Sequence, residues 1–389
     1  IQDSLVGSEM CIRDSRYPAS QLDRFQSEHK QLHMHHSVAL NSDMDLKTKI
    51  YYNEYHRSWN KFDGFMDGPK AQDVLAEPTA YTSAYRVLQG LQDSNVGDFT
   101  DLTIDVTDND REYTSHGIQF NLNKRFVLVG LDHTLKVGIR YHEDDVRRQH
   151  QTRSYLMRSG VMLSDGLARP FKTNNYAHTK AYALSISDDI TWSDWTLNLG
   201  VRHEDIEGSV DNKLLDVITE NSQSITAPGL GLHRQLTEKM SLLAGVYVGF
   251  SPSGPGKSGA ESEESVNIEY GVRYDDGQFS GEIIAFESDY DNLLGRCRAS
   301  DSDCQVGQEF SGGNVEVSGV EVFGQFQRSL SGGVILASQL NYTFSESKFK
   351  GAFFSQFSQW GLVEKGDELP YIPRHAGRWQ VGLETDIWA

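Results

Sequence analysis

Six arginines are the residues of this sequence with the most chemistry to offer. Arg147, Arg148, Arg153 and Arg158 crowd one stretch (DDVRRQHQTRSYLMR, 144–158), and Arg296 and Arg298 flank Cys297 in another (LLGRCRASDSDCQVG, 293–307). A guanidinium fork presents paired N–H donors to two carboxylate oxygens at once. Such clusters are therefore candidate binders of an organic anion. They stand out because the chain is acidic overall, with 36 Lys and Arg against 55 Asp and Glu and a net charge of −19. A solvated loop is the competing reading, and residue type alone leaves both open. Gln308, Trp360 and the aromatic run Phe353, Phe354 and Phe357 are candidates for the same surface.

Other constellations offer less. Cys297 and Cys304 sit seven apart in a polar segment without the CxxC and histidine partners of a zinc site. A small disulfide-closed loop, Cys297–Cys304, in an oxidising compartment is the preferred reading, with two free surface thiols as the alternative. His33 and His35 share one face of an alternating strand, but no carboxylate lies at ligand spacing, so no metal is assigned. GPGKS (254–258) lacks the first glycine and the strand-to-helix context of a phosphate loop. Asp105, Asp108, Asp110 and Glu112 depart from calcium-loop spacing. No Ser, His and acid set can be singled out as catalytic. The sequence is read as a non-enzyme without a cofactor.

The elements that must position these residues are strands. Leu242, Ala244, Val246, Val248 and Phe250 alternate with small residues, and Val266, Ile268, Tyr270, Val272 and Tyr274 alternate with Asn267, Glu269, Gly271 and Arg273. Period-two alternation makes a sheet with one apolar and one polar face. Asp275-Asp276-Gly277 closes a hairpin. The same reading gives strands at 29–40, 46–56, 111–123, 133–143, 176–192 and 195–204, and further ones to the end, with a short helix near 79–91. Residues 144–174 and 205–222 read as long connections. The total is roughly thirteen strands in which short and long connections alternate. That is the pattern of an up-and-down membrane barrel, all short turns at one end and all long loops at the other. Trp192 and Trp195 astride one turn, with Tyr274, fit an interfacial aromatic girdle.

Composition agrees. The chain has 389 residues, only 38% of them hydrophobic, yet 11% aromatic and 35 glycines, which suits a sheet with one apolar face. No apolar run approaches the roughly 20 residues of a membrane helix, so a closed barrel is the available way to span a bilayer. The charge of −19 repels nucleic acid. The opening IQDSLVGSEMCIRDS (1–15), which includes Cys11, shows no apolar signal core and resembles a translated sequencing-adaptor segment. It is set aside as non-native, leaving 16–389 as one barrel segment.

Several stretches carry a family resemblance. APGLGLHRQLTEKMSLLAGVYVGFSPSGPG (227–256), ESVNIEYGVRY (264–274), GGNVEVSGVEV (312–322) and LPYIPRH (369–375) resemble successive strands of TonB-dependent outer-membrane receptors. GIRYHEDDVRRQH (138–150) and NLLGRCRASDSDC (292–304) are most similar to the ferric dicitrate receptor branch. The resemblance implies a barrel of about 22 strands plugged by an N-terminal domain. It also implies capture of a chelate such as ferric citrate by outer loops, and import driven by the TonB-ExbB-ExbD complex. On that reading the chain is a fragment lacking plug, energy-coupling box, signal peptide and last strands, and does not transport by itself. Expected surroundings are the lipid and lipopolysaccharide of a Gram-negative outer membrane, which the basic loops also fit. Arg147, Arg148, Arg153, Arg158, Arg296, Arg298 and Gln308 become the expected chelate ligands. Arg140, Arg202, Glu269 and Arg273 are expected to meet the plug. Another siderophore, cobalamin or a glycan is the alternative cargo. A lipase-like barrel enzyme and a soluble adhesin-like β protein are the alternatives of other classes.

Overall fold

Alternating sequences can bury only one face, and the architecture follows from that. The computed structural model describes residues 17–95, 102–257, 261–296, 309–311, 313–355 and 360–385. The strands are β1 (Arg24–Asn41), β2 (Met44–Phe65), β3 (Ile104–Leu128), β4 (Leu131–Arg158), β5 (Val161–Ser164), β6 (Phe171–Trp192), β7 (Trp195–Asn212), β8 (Val217–Thr237) and β9 (Met240–Ser251). They continue with β10 (Glu263–Asp275), β11 (Phe279–Asp291), β12 (Leu294–Arg296), β13 (Glu309–Ser311), β14 (Val315–Ser329), β15 (Ile335–Phe349), β16 (Phe353–Phe354), β17 (Leu362–Val363) and β18 (His375–Glu384). A 14-stranded sheet runs β1-β2-β3-β4-β6-β7-β8-β9-β10-β11-β14-β15-β18, with β5 paired to β4 off this path. β12–β13 and β16–β17 are separate two-stranded pieces in the loops. Along the path each strand pairs antiparallel with the next, the up-and-down wall of a partial barrel.

Register carries the apolar face unbroken across the sheet. One row runs Val38–Leu46–Leu122–Val137–Ile186–Val201 through β1, β2, β3, β4, β6 and β7. Another runs Leu232–Ala244–Tyr270–Ala285–Val320–Phe344 through β8, β9, β10, β11, β14 and β15. Among the described residues nothing covers this band: Leu32 is 68% exposed and Tyr270 60%. A soluble two-sheet protein would have folded these residues onto a shared core, so the adhesin-like alternative fails among the described residues. An exposed apolar face beside a polar one is the pattern of a barrel wall in lipid, apolar side outward and polar side toward the lumen. Among the described residues no helix is long and apolar enough to cross a membrane.

Short turns at 129–130, 193–194 and 238–239 share one end, while the tight turn 213–216 lies at the other. Val129 and Gly130 link β3 to β4 with φ of 55° and 77°, the doubly positive backbone of a two-residue hairpin. At the next turn Trp192 and Trp195 stack with centroids 6.3 Å apart, and the Arg234 guanidinium lies 4.7 Å from the Trp195 centroid. Phe126 stacks on His133 at 5.0 Å at the same end. These rings cluster at the short-turn end, where the sequence led one to expect an aromatic girdle.

The larger buried cluster lies at the opposite end, where loop helices pack on the strand ends. Helices Ala71–Ala76 and Thr82–Leu88 and the 3₁₀ turn Pro18–Ser20 pack Ala19, Val74, Ala84, Val87 and Leu88 against Phe65, Ile104, Val106, Met157 and Met162. The second helix is the one the sequence suggested; the first was not foreseen.

Two long connections expected from sequence are instead strand. β4 runs on to Arg158, paired with β3 through Ile104↔Tyr155. β7 and β8 pair up to Asn212↔Val217, leaving only 213–216 as a turn. Above the apolar band both faces are polar, so the alternation that marks a strand in sequence disappears while backbone pairing continues.

Candidate ligand-binding wall

Alternation along β4 decides what the basic stretch does. The β3–β4 register is unbroken from Leu128↔Leu131 to Ile104↔Tyr155, so odd positions of β4 share the outward face with Val137 and Ile139, and even positions face the lumen. Arg147 is therefore outward and pairs with Glu112 on β3. Arg153 is outward, exposed, and opposite Val106. Arg158 ends the strand and donates to the carbonyls of Ser94 and Met157; with Ser94 Oγ accepting from Met157 N at 3.0 Å, it ties the loop at 94 to the strand. Of the four, only Arg148 faces the lumen where other cations gather. The cluster that reads as one unit in sequence is thus distributed over a strand, with three different surroundings.

Arg148 has partners that the sequence gave no reason to join. Arg57 on β2 stands opposite Arg111 on β3, and Arg111 opposite Arg148 on β4. Three guanidiniums thus lie in one cross-strand row on the lumen face. Like charges directly opposite each other repel, so such a row marks a place built for something other than stability. Arg111 Nε donates to His150 Nε2 at 3.1 Å and its Nη1 reaches the Tyr113 hydroxyl at 3.4 Å. Among the described residues no carboxylate pairs with Arg57 or Arg111. Elsewhere on the lumen face Arg202 pairs with Glu204 and Arg273 with Glu282 at 2.9 Å, while Arg140 donates to the Tyr51 hydroxyl.

The row lies above the hydrocarbon band, since its outward neighbours are Glu112, Arg147 and Tyr176. Its charge is felt locally. Burial, then the positive charges of Arg111, Arg148, Arg57 and Lys61, push the His150 imidazole down to about 4, so it is neutral at physiological pH. Burial raises the Tyr113 phenol, but hydrogen bonds from Arg111 and Arg57 more than offset this and hold it below its ordinary value. A positive, partly desolvated surface of this kind favours an incoming anion.

Below the row the wall is locked by packing. The Tyr51 ring lies over Gly117, where an added Cβ would sit 2.4 Å from the hydroxyl. That hydroxyl bonds His142 Nδ1 at 2.6 Å and accepts from Arg140 at 3.1 Å. His33 stacks on Tyr51 at 6.5 Å and bonds Asn53 Oδ1 at 3.1 Å. Among the described residues no group of His, Cys, Asp and Glu is arranged to hold a metal. Asp105 instead binds Lys172 Nζ at 2.6 Å, Asp108 accepts from Ser58 at 2.8 Å and Asp110 meets His56 at 3.0 Å. Glu269 accepts from the Tyr247 hydroxyl at 3.0 Å.

The second expected cluster is seen only in part. Arg296 ends β12, while Cys297, Arg298, Cys304, Gln308 and Phe357 lie outside the described residues. Phe353 and Trp360 do not line an open mouth. They pack on Phe349 with centroids 5.6 and 5.9 Å away, in a small core with Val315 and Val363. Phe354 is exposed. Sequence reasoning missed Arg57 and Arg111 because only strand register brings them beside Arg148.

Comparison with known proteins adds a family. The profile of the family described as "TonB dependent receptor-like, beta-barrel" matches residues 11–388. Among solved structures, the ferric citrate transporter FecA in its unliganded form superposes with a TM-score of 0.67 at 19% identity, covering 92% of this chain and 47% of that one. The siderophore receptor PiuA from Acinetobacter baumannii gives 0.64 at 14%, over 92% and 52% of the two chains. The ferric-catecholate import receptor Fiu from E. coli K12, closed form, gives 0.61 at 15%, also over 92% and 52%. The chain thus spans about half the length of the structures it matches. With its meander of paired strands and its outward apolar band, the chain belongs to the TonB-dependent receptor-like β-barrel family, whose members reside in the outer membrane.

Proposed function

We propose that this chain forms part of a Gram-negative outer-membrane receptor that captures and imports an anionic iron chelate, ferric citrate or a chelate of similar carboxylate chemistry. The single observation carrying this reading is the row Arg57–Arg111–Arg148 on the lumen face above the membrane. The forks of Arg57 and Arg111, uncompensated by carboxylates among the described residues, suit a ligand that brings several of its own. Neutral His150, already accepting from Arg111, orients that fork without spending its charge. Passage inward past the Tyr51–His142–Arg140 lock then draws on energy from TonB-ExbB-ExbD, with Arg140, Arg202, Glu269 and Arg273 positioned to meet a plug. FecA, PiuA and Fiu are named for ferric citrate, a siderophore and ferric catecholate respectively. The choice among such cargoes rests here on arginine chemistry alone. The cysteine pair Cys297–Cys304 is proposed to close a loop of the same receptor, and lipopolysaccharide to surround its outer rim.

The barrel-enzyme alternative has one constellation to point to. Thr226 Oγ1 lies 2.9 Å from His203 Nδ1, and His203 Nε2 is 3.5 Å from Asp205 on the outward face. Acyl transfer also needs donors aimed at an oxyanion. The main chain here is strand on both sides, paired His203↔Thr226 and Arg202↔Ala227 in the ladder, and offers no turn or helix N-terminus for that purpose.

The test is uptake of radiolabelled ferric citrate by cells expressing the receptor, with and without TonB. Uptake that requires TonB and falls at least tenfold on Arg111→Ala supports the reading. Uptake indifferent to Arg57 and Arg111 overturns the assignment of the site.

A further inference from the structure

On the lipid-facing side near the short-turn end, two glycines stand opposite each other, Gly281 on β11 and Gly324 on β14. Both occupy outward positions, because Ile283↔Val322 is the next pair of the apolar face. Two missing side chains side by side leave a depression in a surface that is otherwise continuous. The Phe279 ring lies across it, 3.0 Å from where a Gly281 Cβ would be and 3.7 Å from that of Gly324. The depression is a cavity of about 520 Å³ walled by Val272, Tyr274, Phe279, Phe326, Leu340 and Trp379, within the roughly 300–1,000 Å³ of ordinary ligand clefts. Its one indole donor is already satisfied, Trp379 Nε1 donating to Ser338 Oγ at 3.0 Å. The carboxylate of Glu282, also in the lining, is held by Arg273 at 2.9 Å, and the rest of the wall is chiefly carbon.

We propose that this groove holds one acyl chain of a phospholipid from the periplasmic leaflet as a fixed structural lipid. Continuity decides the occupant. The groove opens within the lipid-facing band, its walls are members of the same rows that run around the sheet, and Tyr274 and Phe279 place it beside the short turn at 276–278. Hydrocarbon already bathes that surface, and a chain is the molecule there with the shape of a narrow apolar slot. A flat wall holds lipids only in passing. A slot that buries a chain on several sides and keeps Phe279 and Trp379 as rims slows its exchange. The inference depends on the membrane orientation of the band and not on the identity of any chelate, so the two readings fail separately.

Native mass spectrometry of the whole receptor, extracted from the outer membrane in mild detergent, reads the retained lipid directly. Wild type is expected to keep one phospholipid per molecule. Gly324→Leu should reduce that species about tenfold, the effect of displacing two buried methylene groups. Ala244→Leu, which adds three carbons to the band on β9 away from the groove against four for Gly324→Leu, should leave it unchanged. If Gly324→Leu does not insert, Gly324→Ala, whose Cβ meets Phe279 only at ordinary contact distance, should give a partial loss in the same spectrum. No retained lipid on wild type, or retention undiminished in the glycine variants, overturns the proposal. So does a protein dimer in place of the lipid adduct.

Discussion

The two faces of the upper β2–β4 wall treat charge in opposite ways. On the outward face cations stand beside acids, Arg147 with Glu112, His56 with Asp110 at 3.0 Å and, from β1, Lys30 with Glu54 at 3.1 Å, although Arg153 stands opposite Val106. On the lumen face of the same strands, arginine stands opposite arginine. Sequence, solvent and strand geometry are shared, so the difference is one of task. Exposed pairs of the first kind contribute little to stability, and they keep the outer rim free of a net field. The second leaves Arg57 and Arg111 without a carboxylate partner among the described residues.

The largest effect should come from removing those charges. Arg111→Ala is expected to weaken binding of an anionic chelate about 10- to 100-fold, the range for a lost charge-assisted hydrogen bond. Arg57→Ala should act in the same direction, while Arg147→Ala should leave affinity within about twofold because its charge is already neutralised. Isothermal titration of the purified receptor distinguishes them. Equal losses at Arg111 and Arg147 would break the comparison between faces.

A second substitution separates the row from the wall beneath it. Gly117→Ala forces a Cβ to within 2.4 Å of the Tyr51 hydroxyl and 2.5 Å of the Tyr141 carbonyl, and overpacking of this kind costs about 1–3 kcal/mol. The melting temperature should fall while chelate affinity holds. A loss of affinity as large as that of Arg111→Ala would move the site down into the Tyr51 lock.

The field itself can be read at His150. Its imidazole should titrate near 4 by NMR, and Arg111→Ala should move the midpoint back toward the ordinary 6.5. The folded value lies below the unfolded one. The stability His150 contributes is therefore fully present above pH 6.5 and is lost as pH falls from there toward 4. His150→Gln should flatten that part of the pH–stability curve. A midpoint unmoved by Arg111→Ala would show that burial alone holds the imidazole down.

What the sequence revealed and what it hid divide along the same wall. Within the band, residues such as Val137 and Ile139 alternate with polar ones, and that periodicity exposes strand, face and turn together. Above it Asp144, Arg147, His150 and Arg153 are polar on both faces, so the pattern vanishes and a 28-residue strand reads as strand plus loop. The basic stretch was visible, but its division into Arg147 outward and Arg148 inward was not, because parity counts only once the segment is known to be strand. Arg57 and Arg111 are isolated in sequence. Their alignment with Arg148 is a property of register across β2, β3 and β4.

The smallest effect lies at the far end of the outward face. The Arg234 guanidinium sits 4.7 Å over the Trp195 ring, which stacks on Trp192. A cation over an exposed ring contributes about 0.5–1 kcal/mol, so Arg234→Ala should lower stability in lipid by no more than that, seen as a small drop in melting temperature. Chelate affinity should not move at all. The stacked tryptophans lie at the short-turn end and the arginine row toward the other, with the apolar band between them. A change in affinity on Arg234→Ala would mean that the position of the wall in the membrane sets the spacing of the row, and the two faces would then be one device and not two.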